Sequence, residues 1–499
     1  MQKLQFRTWG KTALSVLALA VILAGCPASN EENDNQGLKL PDGTTPDING
    51  EPGDNIVLKS LSWIGKNAAE NGEYTIFVDQ DITATLAESA TGTVDDGSDG
   101  SANRPGWFRM VPKIEEGDSG YDYWSGEGSD HYNFYPESTV NGVKKITITL
   151  KSNSSTPRTI KLDPASKGTL IELGAGKKFK GYLKDHAEEM EFKLILENII
   201  LQGHDDNVAQ LVYVGSGGVL EIKNGAAITG NRHAESAPQK SLQGGGILVA
   251  RDGKVILDGG SIENNTLENL GDNGEAWGGG IAITDNRGAT FIMKSGNLTR
   301  NKVIAKAWGT GGGLGAMVAY FSIEGGTISE NVVQTTSGAA AGAAIGRNFY
   351  WASANISGGT IKDNDAVCLN SAGHVYPGVR LGSVSDNYGG TDSITISGNP
   401  DIPDGLCITA STSAVKIGGT MTNANPIPID FVSTAMEPDP DNASAYLNRP
   451  AAGQPLLVWA EGQSGTLPVD RFTLGKYRKN DGESEPVSGR IASDGTYQP

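Results

Sequence analysis

Cysteine is nearly missing: the 499 residues hold three, Cys26, Cys368 and Cys407. That excludes a disulfide-stapled scaffold. With Cys26 set aside, Cys368 and Cys407 read as two buried thiols, a bridge between them being the alternative in an oxidising compartment. Basic residues are short as well. Forty Lys and Arg stand against 58 Asp and Glu, a formal charge of −18. Such a body repels phosphate backbones, which argues against nucleic-acid binding, and its charge serves solubility first. Long apolar runs stop early: past residue 25 none is long enough to span a membrane. Residues 430–499 hold few alternating segments, so no pore-forming β-barrel is expected there. Glycine is what abounds. The 68 glycines lack the three-residue period of collagen, which points to a fold with many tight turns.

The first 26 residues carry an address. Lys3, Arg7 and Lys11 are followed by an apolar stretch from Ala13 to Leu23, then Leu23-Ala24-Gly25-Cys26. This resembles the lipobox of bacterial lipoproteins. The resemblance implies that residues 1–25 are a signal peptide, that Cys26 is lipidated, and that a membrane is reached through acyl chains rather than a spanning helix. Cleavage there removes three bases and no acid, leaving −21. Pro27 stands where an Asp would resemble an inner-membrane retention signal, so the outer membrane or cell surface is the expected site. An ordinary secretion signal with a chance cysteine is the plainer alternative.

Residues 26–55 are polar and Pro/Gly-rich and read as a disordered acidic tether. Leu58, Leu61, Ile64 and Ala68 then recur at helical spacing before Asn71-Gly72, predicting a short helix over about 58–70 that caps the open end of a stack. Residues 56–429 are expected to form one repeated domain, interrupted at 87–137 by an acidic, aromatic insertion containing Trp107, Phe108, Tyr121 and Trp124. Residues 430–499 lose the period and read as a C-terminal cap.

The repeat starts near 217. Gly244-Gly245-Gly246-Ile247, Gly278-Gly279-Gly280-Ile281 and Gly311-Gly312-Gly313-Leu314 each precede a strand, a turn and a second strand. An aliphatic with Asn three residues on then follows: Ile228/Asn231, Ile262/Asn265, Leu298/Asn301, Ile328/Asn331 and Ile361/Asn364. The Asn steps are 34, 36, 30 and 33 residues, so length varies in a loop after each Asn. Strands this short bury nothing alone; stacked parallel at about 4.8 Å, equivalent residues form rows. Val255, Phe291 and Phe321 are predicted to share one row, and Leu257, Met293, Ile323 and Ile356 the next. Asn231, Asn265, Asn301, Asn331 and Asn364 are predicted to form a hydrogen-bonded ladder at a turn. The fold class is therefore all-β: a right-handed, single-stranded parallel β-helix, a pectate-lyase-like solenoid with a short N-terminal capping helix. The signatures of leucine-rich repeats and Trp-Asp propellers are missing.

The repeated phrase resembles the paired motifs of chlamydial polymorphic outer-membrane proteins, Gly-Gly-Ala-aliphatic with Phe-x-x-Asn. Gly here replaces the Ala, and Ile or Leu the Phe. Gly-rich coils of spirochaete and Bacteroidetes surface lipoproteins are similar. The match covers about 217–365. It implies the coil and surface display, with adhesion as the family's activity.

Three groups are candidate sites. His204, Asp205 and Asp206 faintly resemble polygalacturonase motifs and are the catalytic candidates if the chain is a polysaccharide lyase or glycoside hydrolase; a polar turn is the plainer alternative. His233 reads as a solvated loop residue. Asp272 and Asp285-Asn286 could contact calcium, but the repeat of calcium β-rolls is missing, so no metal or cofactor is expected. Trp277 and Trp308 precede the glycine runs of adjacent repeats and are expected to lie close together, either as a binding platform or as anchors for their own loops. The reading is a monomeric, surface-displayed binding, adhesion or structural module that contacts glycans or surface proteins.

Overall fold

In the computed structural model, the described residues are 37–86, 106–110, 145–174, 191–234, 241–250, 252–284, 288–317, 319–348, 353–370, 375–381, 393–409, 413–432, 436, 449–478 and 484–499. Cys26, residues 1–25 read above as a signal peptide, most of the aromatic insertion and Asp285-Asn286 lie outside them. Residues 35–499 form one compact unit. Among its described residues the unit is nearly all β, with one α-helix, Ile56–Asn67.

The strands join four long sheets of 18, 12, 5 and 5 strands, here sheets I to IV, and a terminal two-stranded hairpin. One repeat shows the path. Lys254–Glu263 lies in sheet I, Thr266–Asn269 in sheet III, Glu275–Trp277 in sheet IV and Ile281–Thr284 in sheet II. The chain then re-enters sheet I at Thr290–Thr299. Every one of these strands pairs in parallel with its counterpart one repeat later: Ile262 with Leu298, Leu267 with Val303, Ala276 with Gly309, and Ile281 with Leu314.

The predicted rows form. Val255, Phe291 and Phe321 are register partners, as are Leu257, Met293, Ile323 and Ile356. All are buried. Each such side chain contributes about 1.5–3 kcal/mol. They face Ile247, Ile281, Leu314 and Ile345 of sheet II across the main core. A second, smaller core of Leu242, Leu267, Val303, Val333 and several alanines lies between sheets III and IV.

The turn between sheets I and III explains the aliphatic-x-x-Asn spacing. The Nδ2 of Asn301 donates to the carbonyl of Ile262 in the preceding repeat (2.9 Å) and to Oδ1 of Asn331 (3.1 Å). Its own Oδ1 accepts from the backbone N–H and Nδ2 of Asn265, both at 3.1 Å. The pattern recurs at Asn331, which bonds Leu298 and Asn364. The residue before each of these asparagines is left-handed: Gly230, Asn264, Arg300, Glu330 and Asp363 have φ between 55° and 68°. The conformation turns the chain so that the next amide points inward along the stack.

The glycine run at the other corner serves three distinct purposes. Gly278 has φ 82°. A Cβ on Gly279 would lie 2.5 Å from the Gly312 carbonyl of the next repeat. A Cβ on Gly280 would lie 2.8 Å from Cγ of Asn301. Gly342-Ala343-Ala344-Ile345 continues the series with alanine in two places, while the first position keeps a positive φ of 56°.

Several boundaries differ from expectation. The stack is longer than the legible repeat: parallel pairing runs from Gly72–Val78 to Phe472–Arg478. The tether read over 26–55 is shorter, because Gly37–Lys39 pairs antiparallel with Gly72–Val78 and Leu38 is fully buried. The helix starts at Ile56, capped by the Asn55 side chain, and ends at Asn67. It packs Val57, Leu61 and Ile64 into the main core. Inside the 87–137 insertion, Phe108–Met110 is a strand of sheet II, with Phe108 fully buried. The cap read as 430–499 begins later. Leu457–Trp459 and Phe472–Arg478 still add parallel strands, and antiparallel pairing with Ser484–Pro486 closes sheet II.

Candidate functional site

The Asn ladder is assembled and dry: Asn265, Asn301 and Asn331 are completely buried. It is also longer than the five predicted residues. Asn207 donates to Oδ1 of Asn231 at 2.8 Å. At the other end Asn364 donates its backbone N–H and Nδ2 to Asp404, at 3.0 and 2.7 Å. Spacing hid both, since Asn207 precedes Asn231 by 24 residues and Asp404 follows Asn364 by 40. Asn265, Asn301 and Asn331 each donate Nδ2 to the next member, while Asn231 reaches Asn265 through its backbone N–H at 3.3 Å and spends its Nδ2 on the Ala209 and Gly245 carbonyls. Each link runs toward the C-terminal end, so the last member needs only to accept, and a carboxylate suits that place. Burial raises the Asp404 carboxyl above its ordinary range despite the Asn364 donors.

His204, Asp205 and Asp206 sit at a turn that begins where the strand Ile199–Gln202 ends. The His204 Nε2 lies 2.8 Å from the Ser166 carbonyl, and its Nδ1 accepts from the Asp206 backbone N–H at 3.2 Å. Both ring nitrogens are thus spent on the backbone. The Asp206 carboxylate is exposed and pairs with Lys167 at 2.8 Å, and that hydrogen bond lowers its pKa. Asp205 offers its backbone carbonyl to Arg232. The three residues meet as a local turn, with no described side chain arranged between them for proton transfer. His233, read as solvated, is fully buried at the end of the second core, 3.0 Å from the Gly244 carbonyl. Asp272 pairs with Lys306, which lowers its pKa. Among the described residues no group of three His, Cys, Asp or Glu is placed to hold a metal.

The tryptophans do come together. Trp277 ends a sheet IV strand and Trp308 begins the next; their ring centroids are 6.2 Å apart at 58°. Trp277 is only 4% exposed and packs on Tyr213, Leu248, Ala250 and Ala282 of sheet II. It therefore anchors sheet IV to sheet II. Trp308 is half-buried and borders solvent.

Room for both rings comes from one outward row of sheet II, in which Leu248, Ala282, Gly315 and Gly346 are successive register partners. A Cβ on Gly346 would lie 2.0 Å from Oγ1 of Thr310. The row continues through Arg380 and Cys407 to Asp430. The Arg380 guanidinium carbon stands 5.6 Å from the centroid of the Trp308 ring, within cation–π range. Its Nε and Nη1 are shut off from solvent and meet no acceptor. Burial lowers the guanidinium's pKa and raises those of the neighbouring Tyr376 hydroxyl and Cys407 thiol. Asp430, two places along, is occupied by Arg478 at 2.6 Å and by the Lys476 N–H at 2.7 Å. Cys368 and Cys407 are both free thiols; Cys407 is buried, whereas Cys368, read as buried, is only half-buried at the end of its sheet III strand.

No family model, curated protein or solved structure matches the chain.

Arg380 was missed because the Gly-Gly-Gly phrase has decayed to Pro377-Gly378-Val379 there. Counting one residue past the aliphatic of each phrase recovers Leu248, Ala282, Gly315, Gly346 and Arg380 in order.

Proposed function

We propose that this chain is a lipid-anchored, surface-displayed binding module built on a right-handed parallel β-helix, and that its half-exposed Trp308 corner contacts glycans. The parallel register of equivalent residues through four sheets supports the solenoid, and right-handed crossover is the default for parallel strands. The lipobox resemblance at Leu23-Ala24-Gly25-Cys26 supports the anchor and an outer-membrane or surface site. One observation carries the binding reading: a half-exposed indole packs against a second indole and carries a cation over its ring. An aromatic face fixed by its neighbours binds without paying to order itself.

A glycan panel scored for both binding and depolymerisation tests it. Binding without turnover, lost in Trp308→Ala, is the expected result. Turnover abolished by Asp205→Ala together with Asp206→Ala would instead establish a polysaccharide lyase or hydrolase. For the anchor, Cys26→Ala is expected to release soluble protein or leave unprocessed precursor; a fully processed, detergent-phase variant would refute it.

A further inference from the structure

Among the described residues Arg380 is a cation without a counter-charge, in a chain of formal charge −18. Among the described residues no carboxylate reaches it, since the acid nearest along its row, Asp430, is held by Arg478. Its guanidinium lies over the ring of Trp308, in the sheet IV strand of the repeat that holds Gly315, two repeats before its own. Nε and Nη1 are enclosed and meet no acceptor, while the residue as a whole is half-buried. A cation stripped of most of its water and given no acceptor gains more from an incoming anion than a hydrated surface lysine does. The Trp308 indole under it is half-buried, and its exposed part offers apolar surface to the C–H face of a sugar ring.

We propose that this corner selects a carboxylate-bearing sugar, a hexuronate, with the ring against the exposed part of Trp308 and the carboxylate at the Arg380 guanidinium. The proposal rests on the glycan-binding reading and adds the charge of the ligand.

Titration calorimetry of the full chain with trigalacturonate and with a neutral galactose trimer tests it. The parent is expected to bind the acidic trimer at least tenfold more tightly. Arg380→Met is expected to erase that preference while leaving affinity for the neutral trimer in place; Trp308→Ala is expected to weaken both. Arg380→Lys, which keeps the charge but removes the enclosed donors, guards against a Met variant that fails to fold, and is expected to retain part of the preference. Equal affinity of the parent for the two trimers, or a preference that survives Arg380→Met, overturns the hexuronate assignment and leaves the glycan-binding reading standing. Binding of neither trimer overturns both.

Discussion

Replacing Asn301 by leucine removes four buried hydrogen bonds at one point of the stack. Its Oδ1 accepts from the N–H and Nδ2 of Asn265, and its Nδ2 donates to Ile262 and Asn331. At about 1 kcal/mol net for each, and about 1–3 kcal/mol for the Asn265 N–H left without an acceptor, some overlap between these terms puts the loss near 3–5 kcal/mol. Leucine matches asparagine in branching and heavy-atom count and is the larger residue, so none of this loss is a cavity. The exposed Asn297 of the same repeat is the control, and Asn297→Ala is expected to change stability by less than about 0.5 kcal/mol. Urea unfolding followed by circular dichroism gives the global figure. Hydrogen exchange adds location: the amides of residues 262–265 and 298–302 are expected to lose protection before those of distant repeats. A loss below about 1 kcal/mol, or protection lost evenly along the chain, would refute the view that the amide file holds neighbouring repeats together.

Gly278→Ala places a Cβ 2.6 Å from the Ile281 carbonyl at φ 82°, and thermal unfolding is expected to show a loss of about 3 kcal/mol. Glu330 is exposed and left-handed; Glu330→Gly is expected to be neutral or stabilising by up to about 1 kcal/mol, and Glu330→Val destabilising by about 1–2 kcal/mol. Burial raises the Asp404 carboxyl, so the folded state takes up a proton more readily than the unfolded chain, and the group's contribution is lost as pH rises through the raised value. Asp404→Asn is therefore expected to be more stable than the parent at neutral pH, with the gap closing as pH falls. A gap that widens in acid would contradict this.

The middle repeats were legible because their physics is local and periodic. A left-handed turn, an inward amide and a glycine corner recur at fixed offsets, so Asn231 to Asn364 and the Phe291 and Met293 rows could be read directly. The ends were not. Gly72–Val78 and Lys145–Ser152 pair in register with only alternating aliphatics to announce it, and an ordinary sheet shares that alternation. Asn207 and Asp404 occupy ladder positions through turns of different length, and a ladder accepts any acceptor that arrives at the right height. The tryptophan pair was foreseeable from rung spacing. The burial of Trp277 was not, because it depends on sheet IV folding back over sheet II, and only the small outward residues Ala282, Gly315 and Gly346 hint at that approach. Arg380 joins the site through two repeats of side-chain reach, a distance no local motif records.

Vertical register can be read covalently. Lys254 and Thr290 are outward-facing Cα partners on adjacent strands of sheet I, about 4.8 Å apart and within disulfide reach. Lys254→Cys paired with Thr290→Cys is expected to bridge on mild oxidation, with the crosslinked peptide identified by mass spectrometry. Lys254→Cys paired with Ile292→Cys, displaced two residues along the strand to about 8 Å, is expected to stay reduced. A bridge in the second variant and none in the first would contradict the stacked register.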